Sequence, residues 1–80
     1  MDIKDVIVER FAELCKERNM TINELATISG VTPSTAYSMM NKERREISIR
    51  TIKKFCDGLD ITLGEFFTTP AFNNLEQEIR

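Results

Sequence analysis

The sequence lacks histidine and tryptophan and contains only two cysteines. Two cysteines without histidine cannot supply the usual zinc-ligand sets, so no metal or other cofactor is expected. An enzyme is not expected either, because neither a glycine-rich phosphate loop nor a recognisable acid–base pair is present. Cys15 and Cys56 lie among apolar neighbours and are interpreted as small buried hydrophobes, with a redox role as the alternative.

Long apolar runs are also missing, and no basic-then-apolar leader precedes Met1. The protein is therefore expected to stay in the cytoplasm. Only three glycines and two prolines interrupt a chain of 80 residues. Such a chain favours one all-α domain, near the lower end of the size that folds without disulfides or metal.

The most informative pattern is TINELATISGVTPSTAYSMMN at residues 21–41. One helix begins with a Thr-x-x-Glu capping box at Thr21, and a second opens with a threonine cap followed by Pro33. Ala26 lies four residues before Gly30, which places a small residue where two helices cross and then a glycine that can adopt positive φ. This spacing predicts a helix-turn-helix, a motif whose second helix enters the major groove of DNA.

Apolar periodicity and capping residues predict three further helices. The first spans about 3–18, the next follows a cap at Ser48 and has its apolar stripe running to Leu59, and the last, at 63–67, begins with a second Thr-x-x-Glu capping box at Thr62. In the first of these, Lys4, Arg10 and Lys16 are placed on the outward face among acidic side chains. The segment 42–46 is predicted to be a charged loop.

The helix-turn-helix domain is expected to span residues 1–68, and residues 69–80 are expected to form a C-terminal tail or a short sixth helix. Thr69 followed by Pro70 is typical of a helix start. The apolar residues that would lie along one face of this helix are Ala71, Phe72, Leu75 and Ile79.

Charge is unevenly distributed along the chain. The net charge is −2, but residues 32–54 carry +4, while residues 1–31 carry −2 and residues 55–80 carry −4. The positive charge is concentrated just after the second helix of the pair, where DNA phosphates would lie. The alternative is a solvated charged stretch without a partner.

The run from about Val6 to Phe67 resembles the Cro and phage-repressor family (XRE type) of helix-turn-helix regulators. The resemblance rests on the segments MTINELA, SGVTPST and TIKKFCDGLDITLGEFF, and the tail AFNNLEQEI is similar to that of short stand-alone members. It implies a five-helix lambda-repressor-like domain, of bacterial or phage origin, that binds double-stranded DNA as a transcriptional repressor.

Three features depart from the family pattern. Ile22 stands where a glutamine commonly helps to hold a phosphate, and Cys15 and Met40 replace a frequent Arg–Glu pair. Because both members of the pair are replaced, no buried charge is left without its partner. Lys42 stands where a loop glycine is common, so Asn41 is expected to adopt positive φ at the end of the second helix of the pair.

The docking geometry of the family implies base contacts from Pro33, Ser34, Thr35, Tyr37 and Ser38. It implies phosphate contacts from Thr21, Asn41, Lys42, Arg44 and Arg45, with backbone amides at 22–24 and 33–35 contributing. The alternatives are that the two serines are ordinary solvated residues and that Tyr37 packs half on the surface. Arg50, Lys53 and Lys54 are expected to be solvated.

The helix lacks arginine, glutamine and asparagine in its exposed middle. Bidentate base reading, worth about 1–3 kcal/mol per base, is therefore not expected from it. DNA shape and phosphate contacts are expected to supply more of the affinity.

A homodimer is expected, because one module of this size buries too little surface for tight specific binding. The residues predicted for the dimer surface are Phe66, Phe67, Phe72, Leu75 and Ile79. The alternative is that the tail folds back on the first helix. A different class of function, a protein-interaction module such as an antitoxin, is also compatible with the acidic ends and the weakly reading helix. A regulatory protein partner is therefore kept as an alternative.

Overall fold

The computed structural model describes residues 2–44 and 46–79, and those residues form α-helices joined by turns. The helices are α1 (Ile3–Glu17), α2 (Ile22–Ile28), α3 (Pro33–Met40), α4 (Ile49–Gly58), α5 (Leu63–Phe66) and α6 (Pro70–Asn73). The all-α class is confirmed, with a short sixth helix present. No helix in these two ranges is both long and apolar enough to cross a membrane.

Local capping explains where the helices begin. At the start of α2, Thr21 Oγ1 accepts the Glu24 N–H at 3.1 Å, and Glu24 Oε1 accepts the Thr21 N–H at 2.9 Å. Thr62 and Glu65 form the same reciprocal pair at the start of α5, and the hydrogen bond from the Thr62 backbone lowers the pKa of Glu65. Each pair satisfies two N–H groups that the helix leaves without a partner. Both predicted capping boxes are confirmed.

Three phenylalanines from different helices form the centre of the core. Phe11 of α1, Phe55 of α4 and Phe66 of α5 are fully buried, and the Phe11 ring centroid lies 5.1 Å from that of Phe55 and 4.5 Å from that of Phe66. Cys15 and Cys56 are also buried, and burial raises the pKa of both thiols. They stay protonated at neutral pH, in agreement with their interpretation as small hydrophobes.

The turn between α2 and α3 has the geometry that its sequence predicts. Gly30 adopts φ of +69°, a conformation that costs glycine little. The Val31 N–H then donates to Ala26 O at 2.9 Å, which satisfies a carbonyl left open at the end of α2. Ala26 is buried where the two helices meet. The helix-turn-helix is therefore fixed by local backbone geometry.

Of the three basic residues of α1, Lys16 is exposed as predicted, but the other two are not on the outward face. Lys4 is only 2% exposed, and Arg10 is half-buried, with its Nε donating to Phe66 O at 2.9 Å. Arg18, which follows α1, donates to Leu59 O at the end of α4. The outward placement of Lys4 and Arg10 is wrong, because carbonyls at the ends of other helices lack intrahelical donors and attract these cations.

The C-terminal segment is helical for one turn only. Because α6 ends at Asn73, Leu75 and Ile79 lie beyond it, and the predicted four-residue apolar face does not form. A segment this short lacks enough packed surface to extend the helix. The Phe72 ring packs edge-on against Phe67 with centroids 4.9 Å apart, and α6 contacts α1. The tail therefore folds back on the first helix, which was the alternative to its forming a dimer surface.

Candidate nucleic-acid interface

Helix α3 separates its buried and exposed faces clearly. Ala36 and Met39 are buried against the core. We call the opposite side the reading face, and it comprises the five residues predicted to contact bases, Pro33, Ser34, Thr35, Tyr37 and Ser38. The first four are exposed, with Tyr37 72% exposed, and Ser38 is half-buried. Neither Ser34 nor Ser38 is enclosed in the core. Tyr37 is too exposed for the alternative in which half of its ring packs on the surface.

Hydrogen bonds at the start of α3 limit what the reading face can donate. Thr32 Oγ1 accepts the Thr35 N–H at 3.3 Å and lies 3.0 Å from Thr35 Oγ1. Thr35 therefore offers its methyl group more readily than its polar atoms. Three backbone amides, at 33–35, are predicted to contact phosphate. Pro33 has no N–H and the Thr35 N–H is bonded to Thr32, so the Ser34 amide remains as the donor.

The start of α2 is similarly constrained. The Glu24 amide is bonded to Thr21, and the Glu24 carboxylate lies beside the same helix start. Of the predicted amides at 22–24, those of Ile22 and Asn23 remain candidates for a phosphate. Thr21 is exposed, and because its oxygen acts as an acceptor in the cap, its hydroxyl hydrogen can still be donated outward.

The turn after α3, residues 41–44, brings three of the predicted phosphate-contacting residues together. Asn41 O accepts the Arg44 N–H at 3.1 Å, and Asn41 Oδ1 accepts the Glu43 N–H at 3.0 Å. Lys42 and Arg44 are exposed, and Asn41 is half-buried. Arg45 lies outside the described residues.

The expected positive φ at Asn41 is wrong. Its φ is −74° and its ψ is 119°, whereas Asn19 and Asp60 adopt positive φ elsewhere. Asn41 instead ends the helix with its N–H donating to Ser38 O at 3.3 Å, while its own carbonyl oxygen accepts from Lys4 Nζ at 3.1 Å.

Lys4 is the contributor to this region that the sequence analysis missed. Its Nζ donates to both Asn41 O and Arg44 O, the first and last residues of the turn. One signal could have found it, because Lys4 lies three residues before Ile7 and seven before Phe11, in the register of the buried stripe of α1.

A second group of cations lies near the start of α3. A hollow of about 160 Å³ separates the α2–α3 turn from the first turns of α4. We call it the basic hollow. Its lining residues are Gly30, Val31, Thr32, Thr35, Ser48, Arg50, Thr51 and Lys54. None of these described lining residues is acidic. Lys53, in contrast, ion-pairs with Asp57.

The reading face thus has cations near both of its ends. Lys42 and Arg44 follow the end of α3, and Arg50 and Lys54 line the basic hollow beside its start. Exposed polar residues between two basic groups form a surface suited to a polyanion. Arg50 and Lys54 are exposed, as expected of solvated side chains, and they also line the basic hollow.

Comparisons with known proteins agree with this geometry. Residues 10–71 match the family model of the Cro/C1-type HTH DNA-binding domain. Over 55 residues, 69% of this chain and 74% of the relative, the sequence is 31% identical to YopS, an SPbeta prophage-derived uncharacterized HTH-type transcriptional regulator of Bacillus subtilis (strain 168). The structure is also similar to the crystal structure of the prophage Lp1 protein 11. That similarity has a TM-score of 0.84 and 33% sequence identity, and it covers 94% of this chain and 100% of that chain.

Proposed function

This chain belongs to the Cro/C1-type family of helix-turn-helix DNA-binding domains of transcriptional regulators, and we propose that it is a repressor that binds operator DNA with α3 in the major groove. The observation that carries the proposal is the reading face, exposed along α3 and flanked by cations at both ends. Helix-turn-helix proteins place the corresponding helix against base edges. Such a protein would act in the cytoplasm of a bacterium, where operator DNA lies.

Phosphate contacts are proposed to supply most of the affinity. Thr21, Asn41, Lys42 and Arg44 would hold the backbone on one side of the groove, and the basic hollow would do so near the start of α3. Neutralising about four to six phosphates per copy corresponds to a slope of roughly −4 to −5 in a plot of log K against log salt concentration. Ser34, Tyr37 and Ser38 are left to read bases, with a modest preference for any one of them. Pro33 and the methyl group of Thr35 would contact a thymine methyl group.

Two copies are proposed to bind one operator. Two exposed aliphatic residues, Ile3 and Ile49, line a hollow of about 200 Å³, which we call the aliphatic groove. It is lined by Ile3, Lys4, Ile7, Glu46, Ile47, Ile49, Ile52 and Phe67. Ile49 is 63% exposed and follows Ser48 of the basic hollow directly in sequence. Because adjacent helical residues point about 100° apart, a second copy at this groove would leave the basic hollow open to DNA.

Arg44→Ala is expected to weaken DNA binding about equally on preferred and unrelated sequences and to reduce the salt slope by about 1, because Arg44 would contact phosphate. The control is Ser34→Ala, which should weaken binding to the preferred sequence alone. Fluorescence anisotropy at several salt concentrations measures both. A loss confined to the preferred sequence in Arg44→Ala would mean that this arginine reads bases.

Ile49→Asp is expected to shift the protein from dimer to monomer, because dimerisation would then remove a charged carboxylate from water in place of an aliphatic side chain. Ile28→Asp is the matched control, since Ile28 is also exposed, at 57%, but lies outside the groove. Sedimentation velocity of the two variants and the wild type tests this. A similar dimer content in both variants would place the dimer contact elsewhere.

The experiment that tests the function as a whole is selection of bound sequences from random duplex DNA. A repressor of this kind should enrich a palindrome with half-sites about one helical turn apart. If the wild-type protein enriches no sequence and remains monomeric, the protein-interaction alternative replaces the proposal.

A further inference from the structure

We infer that Lys4 is a positioning residue for DNA binding. It holds the turn 41–44 in the conformation in which the side chains of the turn face phosphate. The inference rests on the proposed function. Lys4 is 2% exposed, so its ammonium group does not reach DNA itself. It acts through the turn, whose first and last carbonyl oxygens both accept from its Nζ.

The turn is held both by its own Asn41 and by Lys4. Within it, the Arg44 N–H donates to Asn41 O at 3.1 Å, and the Glu43 N–H donates to Asn41 Oδ1 at 3.0 Å. Both of these bonds involve Asn41. Lys4 Nζ supplies the contact at the other end, on Arg44 O. Lys4 also links this turn to a helix 37 residues earlier in the sequence.

The ammonium group also compensates the negative end of α3. The last turn of α3 contains no basic residue. A cation at a helix C-terminus is stabilising because it faces the carbonyl ends of the helix. Lys4 supplies that cation from α1, and its neighbours Val6 and Ile7 are buried, so the anchor is rigid.

A fixed turn matters because ordering side chains on binding costs affinity. With the backbone of Asn41–Arg44 already held, Asn41, Lys42 and Arg44 approach the DNA from a fixed position relative to the reading face. Preorganisation of this kind improves affinity without adding a contact. Lys4 would thus determine how well the phosphate-contacting residues and α3 engage the same duplex.

The chain provides a matched control for this inference. Arg18 uses the same chemistry, a cation of the α1 region that donates to Leu59 O at the end of α4. Residues 59–62, which follow α4, include none of the predicted DNA contacts. Arg18→Met should therefore reduce stability without changing the DNA affinity of the folded protein, whereas Lys4→Met should change both.

The experiment combines amide exchange with a double-mutant cycle, at a temperature where every variant is folded by circular dichroism. In Lys4→Met, hydrogen exchange of the Glu43 and Arg44 amides should accelerate by about tenfold or more, while the Glu24 and Glu65 cap amides keep their rates relative to the wild type. Lys4→Met should lower affinity for duplex DNA about tenfold in the wild type but only about twofold in an Arg44→Ala background, because the two residues act through one turn.

Each outcome bears on the inference. Equal losses in the two backgrounds, or unchanged exchange at Glu43 and Arg44, would overturn it. If Lys4→Met does not fold, Lys4→Gln keeps one donor for the turn, and it should show the same localised exchange and the same non-additive loss to a smaller extent. A wild-type protein that binds no duplex DNA would contradict the proposed function, whereas DNA binding with additive losses would contradict only the role of Lys4.

Discussion

Replacing Phe66 with alanine is expected to lower the free energy of unfolding by about 3–5 kcal/mol, a large part of the stability of a small domain. The Phe66 ring is fully buried, and its centroid lies 4.5 Å from that of Phe11 and 4.9 Å from that of Phe67. Removing it leaves a cavity at the junction of α1, α5 and α6. Urea denaturation followed by far-ultraviolet circular dichroism measures the effect.

The matched control for this change is Phe72→Ala. Phe72 belongs to the same aromatic group but is half-buried, so its removal should cost about 1–2 kcal/mol. Because Phe66 is fully buried within one copy, the sequence-based placement of Phe66 at a dimer surface is wrong. A core role predicts a loss of stability that is independent of protein concentration. A loss that grows as the protein is diluted would contradict this core role.

The second large effect is expected at Gly58, where α4 packs against α2. A Cβ added to Gly58 would lie 2.0 Å from Ser29 Oγ and 3.1 Å from Ser29 Cβ. Gly58→Ala is therefore expected to destabilise the fold by about 1–3 kcal/mol through overpacking, against which the better helix propensity of alanine returns at most about 1 kcal/mol. Thermal and urea denaturation of the variant would show a lower midpoint.

Two further variants identify the cause of the Gly58 effect. Gly64→Ala is the control, because the nearest atom to a Cβ there is Thr62 Oγ1 at 3.8 Å, and this change should leave stability equal or raise it by up to about 1 kcal/mol. Ser29→Gly should restore part of the stability lost in Gly58→Ala, because it removes both atoms of the clash. If Gly58→Ala were as stable as Gly64→Ala, α2 and α4 could not be packed this closely.

Ser29 shows why this contact matters for the helix-turn-helix. Its Oγ is buried and has no hydrogen-bond partner among the described residues, an arrangement that costs free energy. The serine ends α2, and Gly58 ends α4. Their contact fixes the distance between the first helix of the helix-turn-helix and the helix that carries Arg50 and Lys54.

Several features of the fold and of the site follow from the sequence because they are local. The capping boxes at Thr21 and Thr62 join residues three positions apart, so spacing alone predicts them. Gly30 adopts the conformation that favours glycine, and the periodicity of α3 separates Ala36 and Met39 from the reading face. These features, with the family resemblance, were enough to predict a helix-turn-helix and its exposed helix.

The remaining features depend on which segments meet in three dimensions. Lys4 and Arg10 are of charged types that usually lie in solvent on a helix, but they donate to carbonyls 37 to 56 residues away. Asn41 O accepts from Lys4, which lies 37 residues earlier in the sequence, and the basic hollow joins the α2–α3 turn to α4. A carbonyl at a helix end needs a donor whichever residue supplies it, and only the packing of distant helices decides which cation is near enough.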